Sequence, residues 1–165
     1  MLTVEKSVNF IFQFTKWNAI AGVGALVIAI LMVIVDIIWR RIFSEVFLGT
    51  VDITQLCVMV AAFWSIPYAF SEGAHVSVDL LSGSLPKRML KVFEILASLI
   101  GLLVMTVILF LSCIRAMEQY SYGDSSLNLA IPMIFYWFFL LSGCFFSCLV
   151  LFAQIVSKVL LFVRD

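Results

Sequence analysis

The sequence predicts an all-α integral membrane protein: four transmembrane helices, with a short amphipathic interfacial helix between the first and second. Three observations predict it. Hydrophobic residues make up 64% of the 165 residues and charged residues 12%, whereas soluble domains are roughly half apolar and about a quarter charged. Four apolar stretches are long enough to cross a hydrocarbon layer about 30 Å thick at about 1.5 Å of helix rise per residue. Backbone amides in lipid must be satisfied within their own segment, so each stretch is a helix. A single membrane domain over residues 1–165 is expected, with spans near 17–39, 53–70, 95–114 and 130–156. The formal net charge is zero and the ten basic residues are scattered, which argues against a nucleic-acid partner.

The first span is bracketed by Trp17 and Trp39, aromatics of the kind that anchor at both membrane interfaces. Its apolar run is too long for the core of a signal peptide and no small-x-small cleavage site follows, so it is expected to stay as an anchor. Asp36 lies about one turn from its end, and Arg40 follows four residues later on the same helix face. That spacing predicts an ion pair reaching the interface, or a buried contact to a partner. Between the first and second spans, Ile42, Phe43, Val46 and Phe47 share a face at helical spacing, with Arg41 and Glu45 four apart. This is the predicted interfacial helix; its rival is a plain extension of a tilted first helix.

Asp52 and Gln55 open the second span, where the helix dipole favours an acid. They either cap their own helix or contact another. Pro67 ends or kinks this span. Beyond it Glu72, His75 and Asp79 would share one helix face. Three ligands from so short a stretch rarely hold a metal, so His75 and Asp79 are read as fixing a turn or touching a partner. Gly83, Ser84 and Pro86 then break the chain, and Lys87, Arg88 and Lys91 stand where anionic lipid headgroups would bind them.

The third span ends with Arg115 and Glu118, read as an exposed pair, and Ser121 to Ser126 as a plain turn. The fourth opens on Phe135-Tyr136-Trp137-Phe138-Phe139, an interfacial aromatic belt. Small residues at Gly22-Val23-Gly24-Ala25 and Ser142-Gly143-Cys144 suggest close helix packing. Cys57, Cys113, Cys144 and Cys148 all lie in apolar runs without a C-x-x-C pair, as packing cysteines do.

Seven Lys and Arg residues fall on the side holding the chain ends (Lys6, Lys16, Lys87, Arg88, Lys91, Lys158, Arg164) and three on the other (Arg40, Arg41, Arg115). The positive-inside rule then places both termini in the cytoplasm. No nucleophile elbow, P-loop, zinc-protease motif or nucleotide fingerprint occurs, so no catalytic, cofactor or metal residue is assigned and the chain is not read as an enzyme. Midplane polar groups and broken helices, the usual marks of a transport path, are lacking too. The reading is of a helper, anchor or scaffold.

Arg40-Arg41 after the first span, the polar start of the second, the segment His75-Val76-Ser77-Val78-Asp79-Leu80-Leu81 and then Leu85-Pro86 resemble the small membrane subunit, the DctQ-like or Q subunit, of tripartite ATP-independent periplasmic (TRAP) transporters. Family members often carry a glutamate near the start of the second span, where this chain has Asp52 and Gln55. The resemblance implies an inner-membrane complex with a large multi-spanning subunit and a periplasmic substrate-binding protein. It further implies sodium-coupled uptake of organic acid anions of the sialic acid or C4-dicarboxylate class, with this chain as scaffold against membrane lipid. It assigns no catalytic residue and no cofactor. Asp36, Trp39, Arg40, Arg41, Glu45, Asp52, Gln55, His75 and Asp79 are the expected partner-contact or anchoring residues. Alternative readings are a self-contained homodimeric exporter, a quinone-linked redox enzyme, and a membrane interaction protein unrelated to transport.

Overall fold

Long runs of Leu, Ile, Val and Phe without an internal proline build the first helix, and turn chemistry decides where it stops. The computed structural model describes residues 2–45, 47–72 and 87–164, with side chains described over 11–45, 47–72, 89 and 92–159. It contains α1 (Leu2–Phe43), α2 (Thr50–Ser71), α3 (Lys87–Tyr122) and α4 (Ile134–Arg164). Each holds a stretch long and apolar enough to cross a membrane: Ile11–Phe43, Thr50–Ser71, Val92–Tyr122 and Ile134–Val159. The all-α membrane architecture expected from the sequence is therefore found.

α1 ends where the Ser44 amide donates to the Arg40 carbonyl at 3.0 Å and Ser44 turns to φ 55°. Gly49, at φ 96°, then redirects the chain into α2; a positive φ is accessible to glycine without steric cost. A β-carbon at Gly49 would also stand 2.6 Å from Leu129 Cδ1. These two reversals leave no room for the predicted interfacial helix. Among the described residues none forms between α1 and α2, Ile42 and Phe43 simply extend α1, and Glu45 lies past the helix end without an ion pair to Arg41. α2 runs four residues beyond Pro67, so of the two expectations for that proline, ending or kinking the span, an end at Pro67 itself is not found. α3 continues to Tyr122, closed by Gly123 at φ 69°. α4 begins only at Ile134. The expected plain turn and the expected helical start at Ala130 are both replaced by a shaped loop over 123–133.

The helices lie in a row, in the spatial order α1, α2, α4, α3. α1 packs on α2, α2 on α4 and α4 on α3, with a slight touch between α1 and α4; among the described residues α3 meets neither α1 nor α2. α4 carries the core. Cys144 and Leu151 are buried with Met105 of α3, and Phe63, Ile66 and Phe70 of α2 pack on them from the other side. Gly143 is the close approach that makes this possible: a β-carbon there would sit 2.2 Å from the Phe63 carbonyl oxygen. Of the two glycines expected to pack in α1, Gly22 faces Ala61 and Ser65, while Gly24 faces open space. Both broad faces of the row expose apolar side chains, including Ile30, Leu31 and Ile34 on α1 and Leu103, Phe110 and Leu111 on α3.

Candidate functional site

The two buried carboxylates of the spans lie at one end of the row, the end bearing Arg40 and Arg115. Asp36, only 6% exposed, takes the Arg40 guanidinium at 2.6 Å and accepts the Phe47 amide at 3.1 Å. The carboxylate thus joins its own helix to the connection that follows. Thr50 completes the turn, its hydroxyl donating to the Phe47 carbonyl at 3.0 Å. Trp39 stacks on Phe43 with ring centroids 4.2 Å apart and meets the Phe47 ring edge-on at 5.9 Å.

Asp52 does more than the sequence suggests. It sits in the first turn of α2, where the dipole favours an acid, yet its side chain reaches the connection between α3 and α4. Oδ2 accepts the Ser126 hydroxyl at 2.8 Å, the Leu129 amide at 2.7 Å and the Asn128 amide at 3.1 Å, and Oδ1 accepts the Asn128 side-chain amide at 3.4 Å. The Tyr136 hydroxyl donates to the Asp52 carbonyl at 2.9 Å. Ser126 is itself fixed, accepting the Ile131 amide at 2.9 Å and pairing with the Ile131 carbonyl through its own amide. A carboxylate 3% exposed is tolerable near lipid only with such compensation. Gln55, expected to act beside Asp52, is exposed.

The two carboxylates are linked through Gly49, whose backbone is pressed against Leu129. Asp36 closes the first connection, Asp52 closes the second, and Leu129 seats one on the other. Every oxygen of both acids is engaged by a fixed donor. The geometry is that of two structural clamps, and neither acid is placed to pass a proton across the membrane.

The belt reading of the aromatic run is half right. Phe135 and Phe138 are exposed, but Tyr136 is buried and Trp137 donates to Gln119 Oε1 at 2.7 Å. Trp64 donates to Ser142 Oγ at 3.1 Å, and Gln154 donates to the Phe70 carbonyl at the far end of α2. Ser126, Asn128, Gln119, Trp64 and Gln154 were not singled out by the sequence pattern, and Ser142 was noted only for its small size. The usable signal was that each is a polar group inside or beside an apolar run. Arg115 and Glu118 form the expected exposed pair at 2.8 Å. Cys57 and Cys144 are buried as expected of packing cysteines and Cys148 is partly buried, but Cys113 is exposed; all four are free thiols. Among the described residues no group of His, Cys, Asp and Glu could hold a metal ion. His75 and Asp79 lie outside the described residues, and Lys87, Arg88 and Lys91 begin α3 but their side chains lie outside them.

Four apolar helices, polar side chains spent on holding them together, and termini at one end describe a subunit built to sit in a membrane. Residues 29–161 match the family model for tripartite ATP-independent periplasmic transporters, DctQ component. The chain belongs to the DctQ family. DctQ is a transporter component and not an enzyme family, and the DctQ match runs from within α1 to near the end of α4. It therefore covers both clamps of this DctQ chain. No curated protein matches it.

Proposed function

We propose that this chain is the fixed scaffold subunit of a TRAP secondary transporter in the bacterial inner membrane. Its partner is a large multi-spanning membrane subunit that carries the substrate and sodium sites, and a periplasmic binding protein delivers the substrate. The cargo is an organic acid anion of the sialic acid or C4-dicarboxylate class. Both termini are cytoplasmic, following the seven-to-three distribution of Lys and Arg. The Arg40 end with its two clamped connections is then periplasmic.

The observation that carries this reading is the open row. A transporter in its own right encloses a polar site between helices near the midplane. Here the helices form a slab whose two broad faces are apolar, and the two buried acids, Asp36 and Asp52, sit at one end, each already engaged. Such a slab widens the footprint of whatever it is bound to and resists tilt, which a moving transport domain needs from its frame. The exporter reading requires a free acid, and Asp36 is committed to Arg40 and Phe47.

The test is an affinity pull-down of the tagged chain from gently solubilised native membranes, followed by mass spectrometry. A much larger multi-spanning protein in near-equimolar amount is expected. Recovery of the chain alone or as a homo-oligomer would overturn the proposal. In transport assays, Arg40→Ala with Arg41→Ala lowers uptake several-fold and leaves the choice of acid unchanged, because the scaffold does not touch substrate. A switch in which acid is carried would sink the scaffold reading.

A further inference from the structure

Each span is bracketed by charged or interfacial residues at one regular spacing. Lys16 and Asp36 lie twenty residues apart on α1, Asp52 and Glu72 twenty apart at the two ends of α2, and Glu94 and Arg115 twenty-one apart on α3. On α4, Trp137 and Lys158 are twenty-one apart. Each separation is about 30 Å along a helix, close to the thickness of the hydrocarbon layer. Every helix thus carries its own pair of boundary marks, of the residue types that stop at a membrane surface.

The marks do not line up across the row. Gly22 of α1 faces Ala61 and Ser65 of α2, and Asp36 accepts the Phe47 amide just before α2 begins. Asp52 and Glu72 therefore stand about 4–5 Å further from the Arg40 end than Asp36 and Lys16 do. The contacts Tyr136 to Asp52, Gly143 to Phe63, Ser142 to Trp64 and Gln154 to Phe70 set Trp137 and Lys158 lower again, by about 6 Å on average. On α3, Gln119 bonds to Trp137, Thr106 lies beside Cys148, and Glu94 and Ser98 meet Lys158. Arg115 and Glu94 are lower still by about 5 Å. Both lines of marks descend in the same sense at every step of the row, and they stay parallel.

We propose that the chain sits in the bilayer as an inclined slab, its helices leaning within the plane of the row so that the hydrocarbon layer cuts it obliquely. A descent of about 15 Å over three helix-to-helix steps of about 9 Å gives a lean of about 30°, within the range of membrane-spanning helices. The lean brings both lines level with the two membrane surfaces. The marks then stand about 26 Å apart along the bilayer normal, and the long Lys and Arg side chains reach outward over the rest. An upright slab centred on α1 and α2 fails on α3. It would hold Arg115, whose side chain is 71% exposed, near the bilayer midplane, where a lipid-facing charge is costly. It would also push the exposed Leu96, Leu99 and Ile100 out of the hydrocarbon. The inclination rests on the membrane setting alone and holds whichever partner the chain has.

Depth measurement tests it. Nitroxide labels on the full chain in lipid bilayers are compared by their collision rates with oxygen and with a water-soluble nickel chelate, whose ratio rises toward the midplane. Cys113 is exposed in the native chain, and Cys57 and Cys144 are buried, so Cys113 is labelled with Cys148→Ala as the one change. Leu26→Cys and Val104→Cys, both at exposed positions, are labelled with Cys113→Ala and Cys148→Ala in place. Positions 26 and 104 are expected to read alike and near the midplane, with Cys113 shallower by about 12 Å. An upright slab reverses the order on α3, with Cys113 deep and position 104 shallow, and separates positions 26 and 104 by about 16 Å. Either of those results overturns the proposal. Where a labelled variant loses helicity by circular dichroism, the label on Cys113 decides alone: a depth near the surface supports the inclined slab, and a depth at the midplane overturns it.

Discussion

Asp52 accepts hydrogen bonds from one hydroxyl, two backbone amides and one side-chain amide, so deleting its carboxylate orphans several donors at once. Leaving buried donors unmet costs more than the bonds themselves return. Asp52→Ala is therefore expected to lower the apparent melting temperature of the detergent-solubilised chain by roughly 5 °C or more, read by tryptophan fluorescence. Asp52→Asn keeps the shape and one acceptor oxygen and loses less. Asn128→Ala removes only the long 3.4 Å contact and is expected to shift the midpoint little. The thiols give a second reading at this scale. Cys113 is exposed while Cys57 and Cys144 are buried, so a membrane-permeant maleimide modifies Cys113 first in the folded chain, with Cys57 and Cys144 reacting only on denaturation. An acid at the start of α2 was legible in the sequence; the loop it holds was not. The donors come from residues 74 to 77 positions away, and backbone amides carry no mark in a sequence.

At the scale of elements, helix existence was written in hydropathy and helix ends were not. The apolar runs show which segments cross, because lipid leaves the backbone no other choice. The ends depend on local conformations such as Ser44 at φ 55° and Ala130 at φ 50°, which few residue types signal in advance. The same gap produced the interfacial helix: Ile42, Phe43, Val46 and Phe47 do fit one face, but two left-handed turns cut that stretch off. The small-residue signal was informative only in part. Gly143 and Gly24 look alike in sequence, yet one meets the Phe63 backbone and the other meets nothing. Gly143→Val is thus expected to force α2 and α4 apart and cost roughly 5–10 °C in apparent melting temperature. Gly24→Ala is expected to be neutral or slightly stabilising, since alanine is the better helix former in open surroundings. Equal effects from the two substitutions would contradict the packing described for α4.

For the whole molecule the controlling feature is the row itself. Helices packed in a line bury little of one another, and large apolar side chains remain exposed from α1 through α3. Without a hydrophobic driving force between helices in lipid, cohesion rests on close packing and interhelical hydrogen bonds. This chain supplies them at intervals along α2 and α4: Tyr136 to Asp52, Trp64 to Ser142 and Gln154 to Phe70. Lys158 extends the series to α3, near Glu94 at 3.5 Å and Ser98 at 3.4 Å. Ser142→Ala with Gln154→Leu is expected to loosen the slab more than either change alone, measured as faster amide exchange along α2. The number of spans and their membrane setting were visible in composition. Their order in space was not, because the order depends on which faces meet, and faces rich in Leu, Ile and Phe look the same to a neighbouring helix and to lipid.

That order bears on how the chain is made. Synthesis delivers α3 before α4, yet α4 lies between α2 and α3 and carries the contacts of both. A nascent chain three helices long has α3 beside nothing it will finally touch. Its Asp52 carboxylate, already at the head of α2, waits for Ser126, Asn128 and Leu129 to leave the ribosome. The last helix therefore joins α3 to the earlier pair, and its arrival both completes the slab and closes the clamp. A chain that stops between Tyr122 and Ile134 keeps α1 packed on α2 but leaves α3 without the helix it packs against.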